Sequence, residues 1–339
     1  MHPALQGLLT IVIGVGACLS YFWASNQFLD RVLFPAKGPN AGRNINRANM
    51  IRPWLFLFPA LFALSLYLAY PVFETIRLSL TDRVTQPDGT TVYHFVGLGN
   101  YIQMSGDPKF WEALWNNMLW LIVVPALSTA FGLLAAQLTD RISWGNVAKS
   151  LIFMPMAISF VGAAVIWKLI YDARPPDAAQ IGVLNAIYVS LTGNDPQQWL
   201  TVSFWNNFLL MVVLVWIQTG FAMVILSAAL RGIPEETIEA AIVDGANPFQ
   251  IFFKIKVPQI MPTIMVVWTT ITLVVLKIFD IVFAMTNGQW GTQVLANYMF
   301  NQLFVTRDWG VGSASAMVIM LLVTPILVWN VRQARKEMR

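Results

Sequence analysis

The fold class this sequence predicts is an all-α polytopic membrane protein with seven transmembrane helices, and three observations predict it. Of the 339 residues, 57% are hydrophobic and only 11% charged, against about 25% charged in a soluble domain. Seven stretches of about 20 mainly apolar residues are long enough to cross a bilayer core as helices. Lys and Arg then collect on alternate connections between those stretches, as topology in a membrane requires.

The predicted spans are 5–23, 54–73, 117–138, 151–171, 207–230, 261–285 and 311–331. The first lacks the positive n-region of a signal peptide, since only His2 precedes it, and residues 22–26 show no small-residue cleavage pattern; it is expected to be retained as a helix. Connection 30–52, rich in Gly, Asn and Pro, reads as an irregular surface linker. Segments 74–116 and 172–206 carry the turn signals Pro87-Asp88-Gly89 and Gly193-Asn194-Asp195-Pro196, and neither is long enough for a separate domain. The expected organisation is an N-terminal helix and linker over 1–52, then a transmembrane domain over 53–339 with a hairpin at about 232–260.

Orientation follows from the positive residues. One side receives Arg31, Lys37, Arg43, Arg47, Arg52, Arg141, Lys149, Arg231, Lys254, Lys256, Arg332, Arg335, Lys336 and Arg339; the other receives only Arg77, Arg83, Lys109, Arg174 and Arg307. The richer side is expected to be cytoplasmic, placing the hairpin and the C-terminus inside and the N-terminus outside. These basic residues flank apolar spans and form no patch interleaved with aromatics, so the net charge of +4 reflects topology and not a nucleic-acid partner. Membrane lipid is the expected surrounding.

The connection between the fifth and sixth spans is the most informative stretch. Pro234 suits a first helical turn, and Glu235, Glu236 and Glu239 complement the positive end of the dipole. Gly245 permits the left-handed conformation that ends a helix. Asn247-Pro248 starts another, Lys254 and Lys256 favour its negative end, and Pro258 is expected to stop it. Phe249, Phe252 and Phe253 fall at i, i+3 and i+4, while Ile238, Ala241 and Ile242 share a face of the first helix. Burying each Phe would contribute about 1.5 to 3 kcal/mol, so the stripe either packs on its own bundle or wants a groove elsewhere. Asp244 is placed to accept hydrogen bonds from nearby backbone amides.

This stretch resembles the signature of permease subunits of ATP-binding-cassette importers. Glu239-Ala240-Ala241 is followed by Asp244-Gly245-Ala246 and, after nine residues beyond the Gly, by Ile255, then Val257 in place of the usual Leu, and Pro258. Phe252 and Pro262 also fall where that family usually has Phe and Pro. The resemblance implies a six-helix type I importer core after one extra N-terminal helix, with the hairpin as the coupling helix docked in a cleft of a separate ATPase subunit. Two cytoplasmic ATPases would bind ATP and Mg, no cofactor belonging to this chain, and a second permease would pair with it. In this setting Glu239 either pairs with a basic group on the ATPase, worth about 0 to 1 kcal/mol if exposed, or forms part of a solvated face.

"FMPMAISFVGAAVIWKLIYD" from Phe153, "IGVLNAIY" from Ile181 and "FDIVFAMTNGQWGTQVLANYMFNQLF" from Phe279 are similar to carbohydrate permeases that work with a periplasmic sugar-binding protein, although Gln289-Trp290 stands where those commonly show Gly-Pro. With "INRANMIRPWLFLFPALFALSLYLAYPVF" and the extra first span, the chain looks most like α-glucoside permeases of the bacterial inner membrane. The resemblance places the substrate pathway between the spans that flank the hairpin, where Leu214, Gln218 and Phe221 share one face and Trp268, Ile271, Val275 and Ile278 another. Gln218 either contacts sugar hydroxyls or bonds a neighbouring helix. Lys277 and Asp280, at i, i+3, either pair structurally or relay protons, and Lys168 is expected to snorkel.

Two other classes fit less well. A secondary transporter would not need this hairpin, and no inverted repeat is apparent. An enzyme is disfavoured because the chain has only His2 and His94, a single Cys18, and no H-E-x-x-H, phosphate-binding loop or Gly-x-Ser-x-Gly elbow. ATP hydrolysis would therefore be a partner's work.

Overall fold

Apolar runs become helices here because a chain in hydrocarbon must satisfy its backbone hydrogen bonds internally. The computed structural model describes residues 3–85, 90–140 and 142–337; His2, the Pro87-Asp88-Gly89 turn, Arg141 and Arg339 lie outside them. The chain divides into two units, Met1–Glu74 and Thr75–Arg339.

In the first unit, α1 (Pro3–Phe28) runs into a π turn, Leu29–Leu33. The second helix, α2 (Ala41–Leu64), begins well before the predicted span, so only residues 34–40 of the expected linker are irregular. Nothing between Asn44 and Arg52 breaks a helix, and the carbonyl of Asn40 already accepts from the Asn44 amide at 3.0 Å. Arg52 donates to both carboxylate oxygens of Asp30 at 2.7 and 2.9 Å, and the Tyr21 hydroxyl donates to the Leu55 carbonyl at 3.0 Å. Leu8, Trp54 and Tyr67 are among many large side chains left exposed, the surface expected of helices solvated by lipid. A further π turn leads to α3 (Tyr70–Ser79).

The second unit opens with an antiparallel ribbon, β1 (Thr81–Thr85) paired with β2 (Thr91–Phe95) from Thr81 opposite Phe95 to Thr85 opposite Thr91. Its Thr, Val and Tyr residues suit a pleated surface, and it holds the only two strands among the described residues. After α4 (Gly99–Ser105), the unit is built around α5 (Pro108–Thr139), α9 (Trp205–Arg231) and α13 (Met261–Leu276). Their core contains Trp120, Val124, Leu210, Leu226 and Val267. A Cβ on Gly132 would stand 2.4 Å from the Ala222 Cβ, so α5 and α9 approach as closely as only small residues allow. A smaller core joins Met104, Phe110, Leu295, Tyr298 and Val311, bringing α4 and α5 against α15 (Leu295–Phe300) and α16 (Trp309–Glu337).

Among the described residues, five helices are long and apolar enough to cross a membrane, or up to seven if each of two bent pairs is one span. The predicted straight helix 151–171 is one such pair: α6 (Gly145–Phe153) and α7 (Phe160–Ile170) meet across a bend of 104°. Pro155 lacks the N–H that would continue α6, a 3₁₀ turn follows, and Ser159 restarts the chain by accepting from the Gly162 amide at 3.1 Å. The predicted span 261–285 is also interrupted. Its first helix stops at Leu276, and α14 (Asp280–Met285) begins after the non-helical residues Lys277 and Phe279. Between α7 and α9 lies α8 (Val183–Thr192), which ends at Gly193, the expected turn.

Candidate functional site

α9 leads directly into the hairpin. Its first arm, α10 (Glu235–Val243), ends where the Gly245 φ is +80° and the Ala246 amide donates to the Ala241 carbonyl at 3.0 Å. A residue with a Cβ is strained there. The second arm starts at α11 (Pro248–Gln250) with a capping box: the Asn247 side chain accepts from the Gln250 amide and the Gln250 side chain from the Asn247 amide, both at 2.9 Å. A π turn, Ile251–Lys256, continues into α12 (Val257–Gln259). Pro258 therefore sits at a first helical turn and does not stop the arm, contrary to expectation; the break falls at Ile260, after which the next helix begins beside Pro262. Asp244 also differs from expectation, because among the described residues nothing hydrogen-bonds its exposed carboxylate. Its backbone amide instead closes the arm on the Ala240 carbonyl.

The apolar residues of the hairpin separate into two sets. Ala241 and Ile251 are buried, and Ile238, Phe252 and Ile255 are half-buried. Outward stand Phe249 and Phe253, 77% and 62% exposed, with Ile242 and Val243. Phe252 contacts Phe253 edge to face, but the outer part of the stripe finds no groove in this chain. Glu239, Ala240 and Pro258 are exposed as well.

The proposed pathway residues divide differently. Leu214, Ile271, Val275 and Ile278 are all at most 2% exposed and lie in the central core, with Phe221 packed against them. In this conformation those four aliphatic residues hold helix to helix and face no open path. Trp268 is half-buried outside that cluster. Gln218 is buried, yet none of the described residues hydrogen-bonds its side chain, so the neighbouring-helix partner considered for it is not found. Lys277 and Asp280 form no ion pair, because α13 ends between them and the helical i, i+3 relation is lost. The Lys168 ammonium is exposed and reaches the Ala284 carbonyl at 3.4 Å.

Two polar constellations were not singled out by sequence. At the hairpin end, Asp140 follows α5 and accepts from Lys149, from the Ser227 hydroxyl at 3.1 Å and from Arg231 Nη2 at 2.7 Å. Burial pushes the Asp140 pKa up, but the hydrogen bonds from Lys149 and Arg231, the Lys149 charge and the Ser227 hydroxyl outweigh it, and the carboxyl is held below its ordinary value. This joins the end of α5 and α6 to the last turn of α9, from which the hairpin departs.

At the opposite end, loop 286–294 is clamped by asparagines. Asn116 donates to the Gly291 and Gln293 carbonyls at 2.9 and 2.8 Å, Asn206 to the Trp290 carbonyl at 2.8 Å and Asn207 to the Gly291 carbonyl at 3.0 Å. The Asn117 side-chain oxygen accepts from the Leu295 amide at 2.7 Å. The signal available in the sequence was the Asn-Asn doublet that opens each of two long apolar runs.

Residues 128–337 match the family of binding-protein-dependent transport system inner membrane components. The chain is 62% identical to the alpha-glucoside transport system permease protein AglF of Rhizobium meliloti (strain 1021), covering 99% of each chain. It is 47% identical to the osmoprotective compounds uptake permease protein GgtC of Synechocystis sp., over 84% of this chain and 99% of that relative. Among solved structures, a bacterial ABC transporter involved in the import of the acidic polysaccharide alginate superposes with a TM-score of 0.70 at 19% identity, covering 86% of this chain and 98% of that one. That likeness shows a shared fold.

Proposed function

Because this chain belongs to the family of binding-protein-dependent transport system inner membrane components, we propose that it is the permease subunit through which an ATP-driven importer passes α-glucosides of the trehalose, maltose or sucrose type. The observation that carries this reading is its 62% identity, over nearly the whole of both chains, to a permease named for alpha-glucoside transport. The assembly would contain two cytoplasmic ATPases that bind ATP and Mg, a second permease and a periplasmic sugar-binding protein. The distribution of Lys and Arg supports an outward N-terminus with the hairpin and C-terminus in the cytoplasm.

In this reading Glu239 through Ala246, with Phe249, Phe252, Phe253, Ile255 and Pro258, transmit ATPase closure to the membrane. A knob that carries force must be stiff and held at both ends. The left-handed turn at Gly245 and the capping box at Asn247 supply stiffness, while α9 and α13 continue from its two arms. Phe249 and Phe253 would enter the ATPase cleft, which gives the exposed part of the stripe a place to be buried. Gln218 would offer its unengaged amide to sugar hydroxyls, Phe221 and Trp268 would present ring faces, and Leu214, Ile271, Val275 and Ile278 would form the aliphatic backing that opens during alternating access.

Likeness to the permease for osmoprotective compounds favours a second substrate class. Uptake by the complete assembly in ATP-filled proteoliposomes separates them. Accumulation of labelled trehalose, maltose or sucrose is the expected result; accumulation of a small osmolyte with none of the three disaccharides would contradict the substrate assignment.

A further inference from the structure

At the end of the second unit opposite the hairpin, a cavity of about 500 Å³ opens between α7, the turn before α9 and the clamped loop. That volume lies within the range of about 300 to 1,000 Å³ typical of small-molecule sites. Its walls include Lys168, Asp172, Gln198, Trp199, Thr201 and Trp290. No function described above uses it.

Buried asparagines hold the side chain of one of these residues and the backbone of another. Asn185 is fully buried and spends its amide on the cavity wall: it donates to the Asp172 and Gln197 carbonyls at 2.8 and 3.0 Å and accepts from the Gln197 amide at 2.9 Å and the Trp199 indole N–H at 3.1 Å. The Trp199 ring is further fixed edge to face by Tyr188, 5.3 Å away. Across the cavity, Trp290 has φ +55°, a left-handed conformation that is rare for a bulky residue and persists only where its surroundings over-determine it. The Asn206 side chain supplies that constraint through the Trp290 carbonyl. Trp290 nevertheless remains 47% exposed, so the strain holds an aromatic ring at the opening and does not bury it.

The polar groups on the cavity wall retain hydrogen-bonding capacity. None of the described residues engages the Gln198 amide. Asp172 has only the Arg174 guanidinium, 3.7 Å away, and Lys168 only the long contact to Ala284. The Lys168 ammonium lies on the same rim as the Asp172 carboxylate and its neighbouring Arg174 guanidinium, so donors and an acceptor are offered side by side. One fixed indole and a second on a constrained backbone, with an amide, a carboxylate and an ammonium, suit a polyol ring, whose C–H face lies on an aromatic and whose hydroxyls both donate and accept.

We infer that this cavity is a carbohydrate subsite at the entrance, where a sugar ring released by the binding protein rests on Trp290 and Trp199 before it enters the membrane pathway. This rests on the importer reading and adds a second location for the same substrate class. The rings orient the sugar, Gln198 donates to and accepts from its hydroxyls, and the Asp172 carboxylate accepts from them.

The test uses the complete assembly in lipid vesicles with whichever of trehalose, maltose or sucrose the wild type imports, measuring sugar imported per ATP hydrolysed and the binding-protein concentration that gives half-maximal ATPase stimulation. Trp290→Ala is expected to lower sugar per ATP at least fivefold at an unchanged half-maximal concentration, with Trp290→Phe restoring most of the loss. A raised half-maximal concentration with normal sugar per ATP would make this face a protein-docking surface and overturn the subsite. Wild-type values for both quantities would overturn it too. Should Trp290→Ala fail to assemble, Gln198→Ala, which breaks no internal bond, gives the same readings. A wild-type assembly that imports none of the three sugars would instead refute the α-glucoside reading, an outcome distinct from an active wild type with unaffected variants.

Discussion

The two ends of the second unit solve opposite problems. At the hairpin end, Ile242, Val243, Phe249 and Phe253 stand exposed, and what holds the arms is local: a glycine turn and a capping box between Asn247 and Gln250. At the other end, loop 286–294 is fixed by asparagines from α5 and α9, up to 178 residues away in sequence. The first surface is apolar and incomplete, which fits a protein partner that supplies the missing contacts. The second is polar, and its own chain already engages the loop carbonyls, which fits a small solute that must find a site already formed.

Variants can break this contrast, and the largest effect is expected where the partner is missing. Phe249→Glu combined with Phe253→Glu should leave the permease in the membrane but prevent the ATPase from copurifying, with uptake reduced more than tenfold; retention of the ATPase would show that the exposed stripe is not its dock. Next come the clamp residues. Asn116→Ala leaves the buried Gln293 carbonyl without a donor, while Gly291 keeps Asn207, at about 1 to 3 kcal/mol for the unsatisfied group, and should lower the thermal unfolding midpoint of the purified assembly measurably. An unchanged midpoint would deny the loop its rigidity.

The Asp140 network should respond to pH with a definite sign. Its folded-state carboxyl is held below the ordinary carboxylate value, so its stabilising contribution is present above that range and is lost as pH falls through the lowered folded value. Asp140→Asn should therefore reduce stability at neutral pH, and the gap between variant and wild type should narrow under acid. A gap that is constant with pH would remove the charge from the account. The smallest effect is expected from Gln218→Ala, a severalfold change in uptake with ATPase docking unaltered; uptake equal to wild type would take Gln218 out of the pathway.

The hairpin was legible in the sequence because its determinants are local. Gly245, Asn247 and Pro248 act on their immediate neighbours, and a signature spread over a few turns needs no tertiary knowledge. Even there, the tolerance of Pro258 within the second arm depends on a π turn that residue types alone do not announce. The spans were legible as apolar runs, but their breaks were less so: Pro155 and Ser159 gave a readable cue to the bend between α6 and α7, whereas nothing obvious marks the unwinding at Lys277. The asparagine clamp was the hardest to read, since each amide finds its carbonyl only after the helices have packed. Burial of Leu214, Ile271, Val275 and Ile278 likewise depends on α5, which a two-helix face argument leaves out.

The most direct test of the central claim, that the hairpin transmits ATPase work to the membrane, is Gly245→Pro. Proline cannot adopt the φ of +80° found at this position, and it removes the amide that donates to the Ile242 carbonyl at 3.0 Å. ATP hydrolysis and sugar uptake should be measured on the same proteoliposomes, with and without the loaded binding protein. The account predicts a variant that inserts and assembles in the membrane, whose hydrolysis no longer responds to the binding protein and whose uptake is abolished; uptake at the wild-type rate would contradict it.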